Sequence, residues 1–182
     1  MRVEEIIKSK VSSFTKIKLD DFIQICSECM LSEIKELITK VEGFKNGTLT
    51  LSPDEQYDLI YYCSIGGPAL SADKIKFLLS MFDEIYSDTI RIVLRNSSLT
   101  ADDLIEFVNK MTLKAKITLA RKVSDPSILD RIVECTPNNQ LRVLVNECFI
   151  NFCLSNKDKL IGHILDLYSN QEEVKREKVR DL

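Results

Sequence analysis

The chain has 182 residues, 45% of them hydrophobic and 29% charged, with a formal net charge of -3. That length and balance suit one globular domain or one short stack of repeats, and the charge gives no overall pull toward nucleic acid or an anionic membrane. With 5 Gly, 4 Pro, 7% aromatic residues and no Trp, an all-β sandwich or barrel lacks its turn formers and strand aromatics, and a single His removes most histidine-based metal sites and triads.

The N-terminus carries charges at Arg2, Glu4, Glu5, Lys8 and Lys10, unlike the apolar centre of a signal peptide. No apolar run approaches the roughly 18 residues of a membrane-spanning helix, so no membrane is expected among the partners. Six cysteines (Cys26, Cys29, Cys63, Cys135, Cys148, Cys153) are too sparse for a disulfide scaffold. They read as small buried thiols, and the expected location is cytoplasmic.

Val3, Ile6, Ile7 and Val11 fall at helical spacing, and Asp20 or Asp21 can open a second helix with Phe22, Ile23 and Ile25. Ser32 is the expected cap of a third, through Ile34, Leu37, Ile38 and Val41, ended by Gly43 and the Asn46-Gly47 turn. Thr48 to Leu51 alternates like a short strand without a partner. Ser52-Pro53-Asp54-Glu55 is a capping box with proline at the first helical position, and the short helix it serves runs from about Tyr57 to Ser64 before Gly66-Gly67-Pro68 breaks it.

From here the pattern recurs. Ser71-Ala72-Asp73, Thr100-Ala101-Asp102 and Asp125-Pro126-Ser127 each open an apolar helical stretch. Each is preceded by another short helical stretch: Tyr57 to Ile65, Ile90 to Asn96 and Lys116 to Lys122, with Arg142 to Cys148 as a fourth. Arg95 and Arg121 hold equivalent places, 26 residues apart. A period of about 25–30 residues made of two short helices is the mark of an α-solenoid, because one pair cannot cover its own apolar stripe. The alternative is an irregular helical bundle. Val143 to Leu154 is longer and apolar on most sides, which predicts a buried helix. Lys159 to Tyr168 is a final helix, with Leu160, Ile161, Ile164, Leu165 and Leu167 expected to face inward, followed by a charged tail from Gln171.

The stretch from Ile90 through Arg95-Asn96 and Thr100-Ala101-Asp102 to Val108 resembles HEAT-like repeats, especially the leucine-rich repeat variant, and Lys116 to Val133 looks like a second copy. The resemblance covers about residues 57–168. It implies an all-α solenoid of short helix pairs; residues 1–51 lie outside it and are expected to form an N-terminal helical cap. The expected organisation is a single domain made of a cap over 1–51, repeats over 52–168 and a charged tail over 169–182.

Arg91 and Arg95, one turn apart, can align with Lys116, Arg121, Lys122 and Arg142 on successive equivalent helices as a basic ridge for phosphates or an acidic peptide. The opposing reading is a set of solvated faces balanced by nearby Asp and Glu. Cys26-Ser27-Glu28-Cys29 is a CxxC that could hold a metal or form a redox pair, but tetrahedral zinc needs four ligands and no second pair exists, so it reads as two core thiols. His163 with Cys148 and Cys153 is a weaker metal candidate. No catalytic constellation and no cofactor is expected. The expected function is a non-catalytic protein-binding scaffold that is able to self-associate. The alternative is a nucleic-acid-binding protein, for which the resemblance suggests the HEAT-like alkylpurine DNA glycosylases.

Overall fold

Helices account for all the regular structure in the computed structural model, which describes residues 20, 25–26, 28–40, 51–65 and 72–180; among these there is no β-strand. The expected helix at Val3–Val11, Phe22 and Ile23, the turns at Gly43, Asn46-Gly47 and Gly66-Gly67-Pro68, the Thr48–Thr50 alternation and the Cys63 side chain lie outside the described residues. The chain divides into two compact units, Met1–Leu99 and Thr100–Leu182.

In the first unit, α1 spans Leu31–Lys40. It starts before the expected cap at Ser32, because the Glu33 carboxylate reaches back one turn to accept the Met30 N–H at 2.7 Å. The next helix, α2, spans Pro53–Ile65 and so is longer than Tyr57–Ser64. Its capping box is complete: Ser52 Oγ accepts the Glu55 N–H at 3.3 Å and Glu55 Oε2 accepts the Ser52 N–H at 2.8 Å. Helix α3 (Ala72–Met81) buries Ile75, Leu78, Leu79 and Met81. Helix α4 (Ser87–Asn96) buries Thr89, Ile90, Ile92 and Val93 and packs on α2. Gln56 fastens that contact. Fully buried in the first turn of α2, it donates from Nε2 to the Glu84 carbonyl and accepts the Thr89 hydroxyl on Oε1 at 3.1 Å. Both amide ends are thereby satisfied where an unpaired one would be costly.

In the second unit, α5 (Ala101–Leu104) opens on a capping box between Thr100 and Asp103 and passes directly into a 3₁₀ helix over Ile105–Lys110. The tighter winding puts residues three apart on one line, and both Leu104 and Phe107 are buried. Then follow α6 (Leu113–Ala120), α7 (Pro126–Glu134), α8 (Asn138–Leu154) and α9 (Asp158–Arg180). Helix α7 has the anticipated start, with Asp125 Oδ1 accepting the Ser127 N–H and Pro126 at the first turn. Helix α6 contacts α5, α7 and α8, and every side chain from Ala115 to Ala120 is buried. Beyond neighbours in sequence, α6 packs on α8, the 3₁₀ helix on α7, and α7 on α9. Helix α6 thus packs both on the next helix, α7, and on the next but one, α8.

Polar links join the same elements. Arg121 at the end of α6 pairs with Glu147 of α8 at 2.8 Å, and His163 Nε2 of α9 meets Asp130 Oδ1 of α7 at 2.7 Å. The α8–α9 turn uses Asn156 at φ 53, a left-handed conformation that Asn tolerates better than most residues. Beside it, Lys157 Nζ donates to the Val123 carbonyl at 2.6 Å, a cation placed just past the carboxyl end of α6.

Two expectations are corrected here. Helix α8 is buried on one face only, through Leu141, Leu144, Val145, Cys148 and Phe152; Val143, Phe149, Ile150 and Leu154 are exposed, Leu154 by 79%. On α9, Leu160 and Ile164 are buried as expected, but Leu165 is exposed. The 3.6-residue period places Val143, Ile150 and Leu154 on the side of α8 away from Leu144 and Cys148.

Candidate functional site

The packing of α2 on α4 leaves a groove of about 570 Å³ lined by Tyr57, Tyr61, Asp88, Arg91, Ile92, Arg95 and Asn96. Its two walls follow from helical spacing. Tyr57 and Tyr61 are one turn apart on α2, and their rings stack with centroids 5.7 Å apart and planes within 8°. Asp88, Arg91 and Arg95 share one face of α4, and the buried Ile92 lies at the edge of that face as the aliphatic part of the lining. The Gln56–Thr89 hydrogen bond holds these walls together from beneath, since Gln56 immediately precedes Tyr57 and Thr89 immediately follows Asp88.

Charge in the groove is unequal. Arg91 donates from Nη1 to Asp88 Oδ1 at 2.9 Å, and both side chains are more than half exposed. An exposed pair of this kind is worth roughly 0–1 kcal/mol, so it exchanges readily for a better anion. Among the described residues no carboxylate pairs with Arg95, which is exposed. The lining therefore carries two guanidinium groups against one carboxylate, beside two aromatic rings, an aliphatic side chain and the Asn96 amide. That set can bind an anion attached to an apolar or planar group.

Of the six candidate basic residues, the structure brings Arg91 and Arg95 together in this groove. Lys116, Arg121, Lys122 and Arg142 belong to the second unit. Lys116 does not face solvent: it is 4% exposed and its ammonium donates to the Cys135 carbonyl at the end of α7. Burial lowers its pKa below the ordinary lysine value. Arg121 is engaged by Glu147, while Lys122 and Arg142 are exposed.

Cys26 and Cys29 are both buried and neither is in a disulfide. Burial, reinforced by the nearby Glu33 carboxylate, raises the Cys29 thiol above its ordinary value, which favours S–H over the thiolate that metal binding requires. Burial likewise pushes Cys148 up to about 12, and His163 is engaged by Asp130. Among the described residues, no three His, Cys, Asp or Glu side chains gather as a metal site, and no helix is long and apolar enough to cross a membrane.

The two tyrosines were not singled out by sequence reasoning. Their signal is present, an aromatic pair at i and i+4 in a helix opened by a strong cap, but only the pairing of α2 with α4 gives it an arginine-bearing wall to face. No family model matches the chain, and no curated protein or solved structure shows significant similarity to it.

Proposed function

We propose that the protein is a non-catalytic binding scaffold built of HEAT-like helix pairs, and that it holds a protein partner through the α2–α4 groove. The repeat reading is supported by the packing order of the second unit, in which α6 packs on α8 and α7 on α9 while α6 also touches α7 and α8 touches α9. A stack of helix pairs requires that order, because each pair covers its apolar stripe on the next. In the first unit, the packing of α2 on α4 has the same skip over one helix.

The single observation that carries the binding role is the convergence of Tyr57, Tyr61, Arg91 and Arg95 on one exposed groove. Tyr and Arg are the residue types that contribute most to protein interfaces, and arginine pairs with carboxylate or phosphate in a fixed geometry. A long polyanion is disfavoured by Asp88 within the groove and by Asp54 and Asp58 exposed on α2.

Affinity capture from the source cells, comparing wild type with Arg91→Glu/Arg95→Glu, tests the reading. A stoichiometric protein retained by wild type and lost from the double variant is the expected result. Capture unchanged by the double variant contradicts it. Recovery of nucleic acid instead, released steeply with salt, moves the assignment to the nucleic-acid class.

A further inference from the structure

We propose that the α2–α4 groove recognises one particular chemistry on its partner, the phosphorylated side chain of a tyrosine. The inference rests on the scaffold reading and adds the substrate class of the same site. Three features lead to it. First, Arg91 and Arg95 lie one helical turn apart on the same wall, so both guanidinium groups can reach a single tetrahedral anion, whereas a lone carboxylate is already matched by one of them. Second, Asp88 engages only Nη1 of Arg91, leaving that guanidinium's remaining N–H groups for a ligand. A dianion overcomes the residual repulsion from Asp88 better than a monoanion does. Third, apart from the amide of Asn96, the rest of the lining is aromatic or aliphatic: the stacked rings of Tyr57 and Tyr61 and an edge of the buried Ile92. A phosphoserine would leave that surface unused, whereas the ring of a phosphotyrosine fills it. A volume of about 570 Å³ admits such a side chain together with its flanking backbone.

The opposite wall fixes the limits of the ligand. Asp54 and Asp58 are exposed on α2 outside the groove lining and add negative charge to the helix that carries the tyrosines, so the segment bearing the phosphate is expected to be otherwise neutral or basic. The recognition is therefore of one concentrated charge on an aromatic ring, and no covalent step takes place.

Calorimetric titration of the full-length protein with phenyl phosphate, inorganic phosphate and benzoate tests this directly. Phenyl phosphate is expected to bind saturably at one site, about tenfold or more tighter than either other probe. Arg95→Gln and Arg91→Gln are each expected to weaken it about tenfold or more, with thermal midpoints unchanged because both side chains are exposed. Tyr61→Leu is expected to erase the preference for phenyl phosphate over inorganic phosphate while leaving inorganic phosphate binding in place. Equal affinity for phenyl and inorganic phosphate overturns the proposal, as does phenyl phosphate binding that survives the arginine substitutions. Displacement of phenyl phosphate by an oligothymidylate at lower concentration than by a phosphotyrosine peptide overturns it in favour of single-stranded nucleic acid. The scaffold reading is separable: a captured partner that depends on Arg91 and Arg95, yet is not released by phenyl phosphate, leaves the scaffold standing and removes only the phosphotyrosine.

Discussion

Several polar side chains act inside this molecule where their type suggests solvent. Gln56 bridges α2 and α4, Lys74 reaches the Cys29 carbonyl at 2.8 Å, and Lys116 reaches the Cys135 carbonyl. Each has enough methylene length to lie along apolar neighbours while its head meets a backbone acceptor. That explains why the surroundings of individual basic residues were only partly legible in the sequence. Arg91 and Arg95 follow from spacing, but nothing local distinguishes buried Lys116 from exposed Lys114, since the difference depends on which carbonyl stands nearby. Caps were legible because their partners lie within three residues, as at Ser52, Thr100 and Asp125. The Ser52 box also makes a pH prediction. Its hydrogen bonds to Ser52 lower the Glu55 pKa below 4.5 in the folded state. Its stabilising contribution is thus complete above the ordinary value and is lost as pH falls through the lowered folded value. Thermal midpoints of wild type and Glu55→Gln should differ at neutral pH and converge well below pH 4.5; a gap independent of pH contradicts this. Ser52→Ala should cost about 1 kcal/mol.

At the scale of elements, α8 shows where composition misleads. Its run Val143 to Leu154 is apolar nearly all round, the usual signature of a buried helix, yet one face is in water. Helix α6, flanked on more than one side, is buried all round from Ala115 to Ala120. Sequence alone does not reveal how many neighbours a helix has, so similar apolar content reads alike for a middle helix and for one with an open side. The two faces should respond differently to substitution. Phe152 is fully buried, so Phe152→Ala should cost about 3–5 kcal/mol. Ile150 is 55% exposed, so Ile150→Asp should change stability by less than about 1 kcal/mol in denaturant unfolding. Similar losses at both positions would place Ile150 in a core and contradict the packing of α8.

For the whole molecule, the account depends on how cooperativity is distributed. The second unit is tied mainly by contacts between adjacent and next-adjacent helices, reinforced by Arg121–Glu147, Asp130–His163 and the Lys157 contacts to the turn after α6. A common-core bundle unfolds as one body, whereas a stack of pairs can lose its last pair first. The helical period and its caps made the helices visible in the sequence and suggested the proposed repeat, while the 3₁₀ segment and the 17-residue α8 depart from regular copies. Native-state hydrogen exchange of Phe152→Ala against wild type tests the claim most directly. The account predicts that amides of α8 and α9 lose protection strongly while those of α6 and α7 keep most of theirs. An equal loss across all four helices would show a single cooperative core and contradict the repeat architecture.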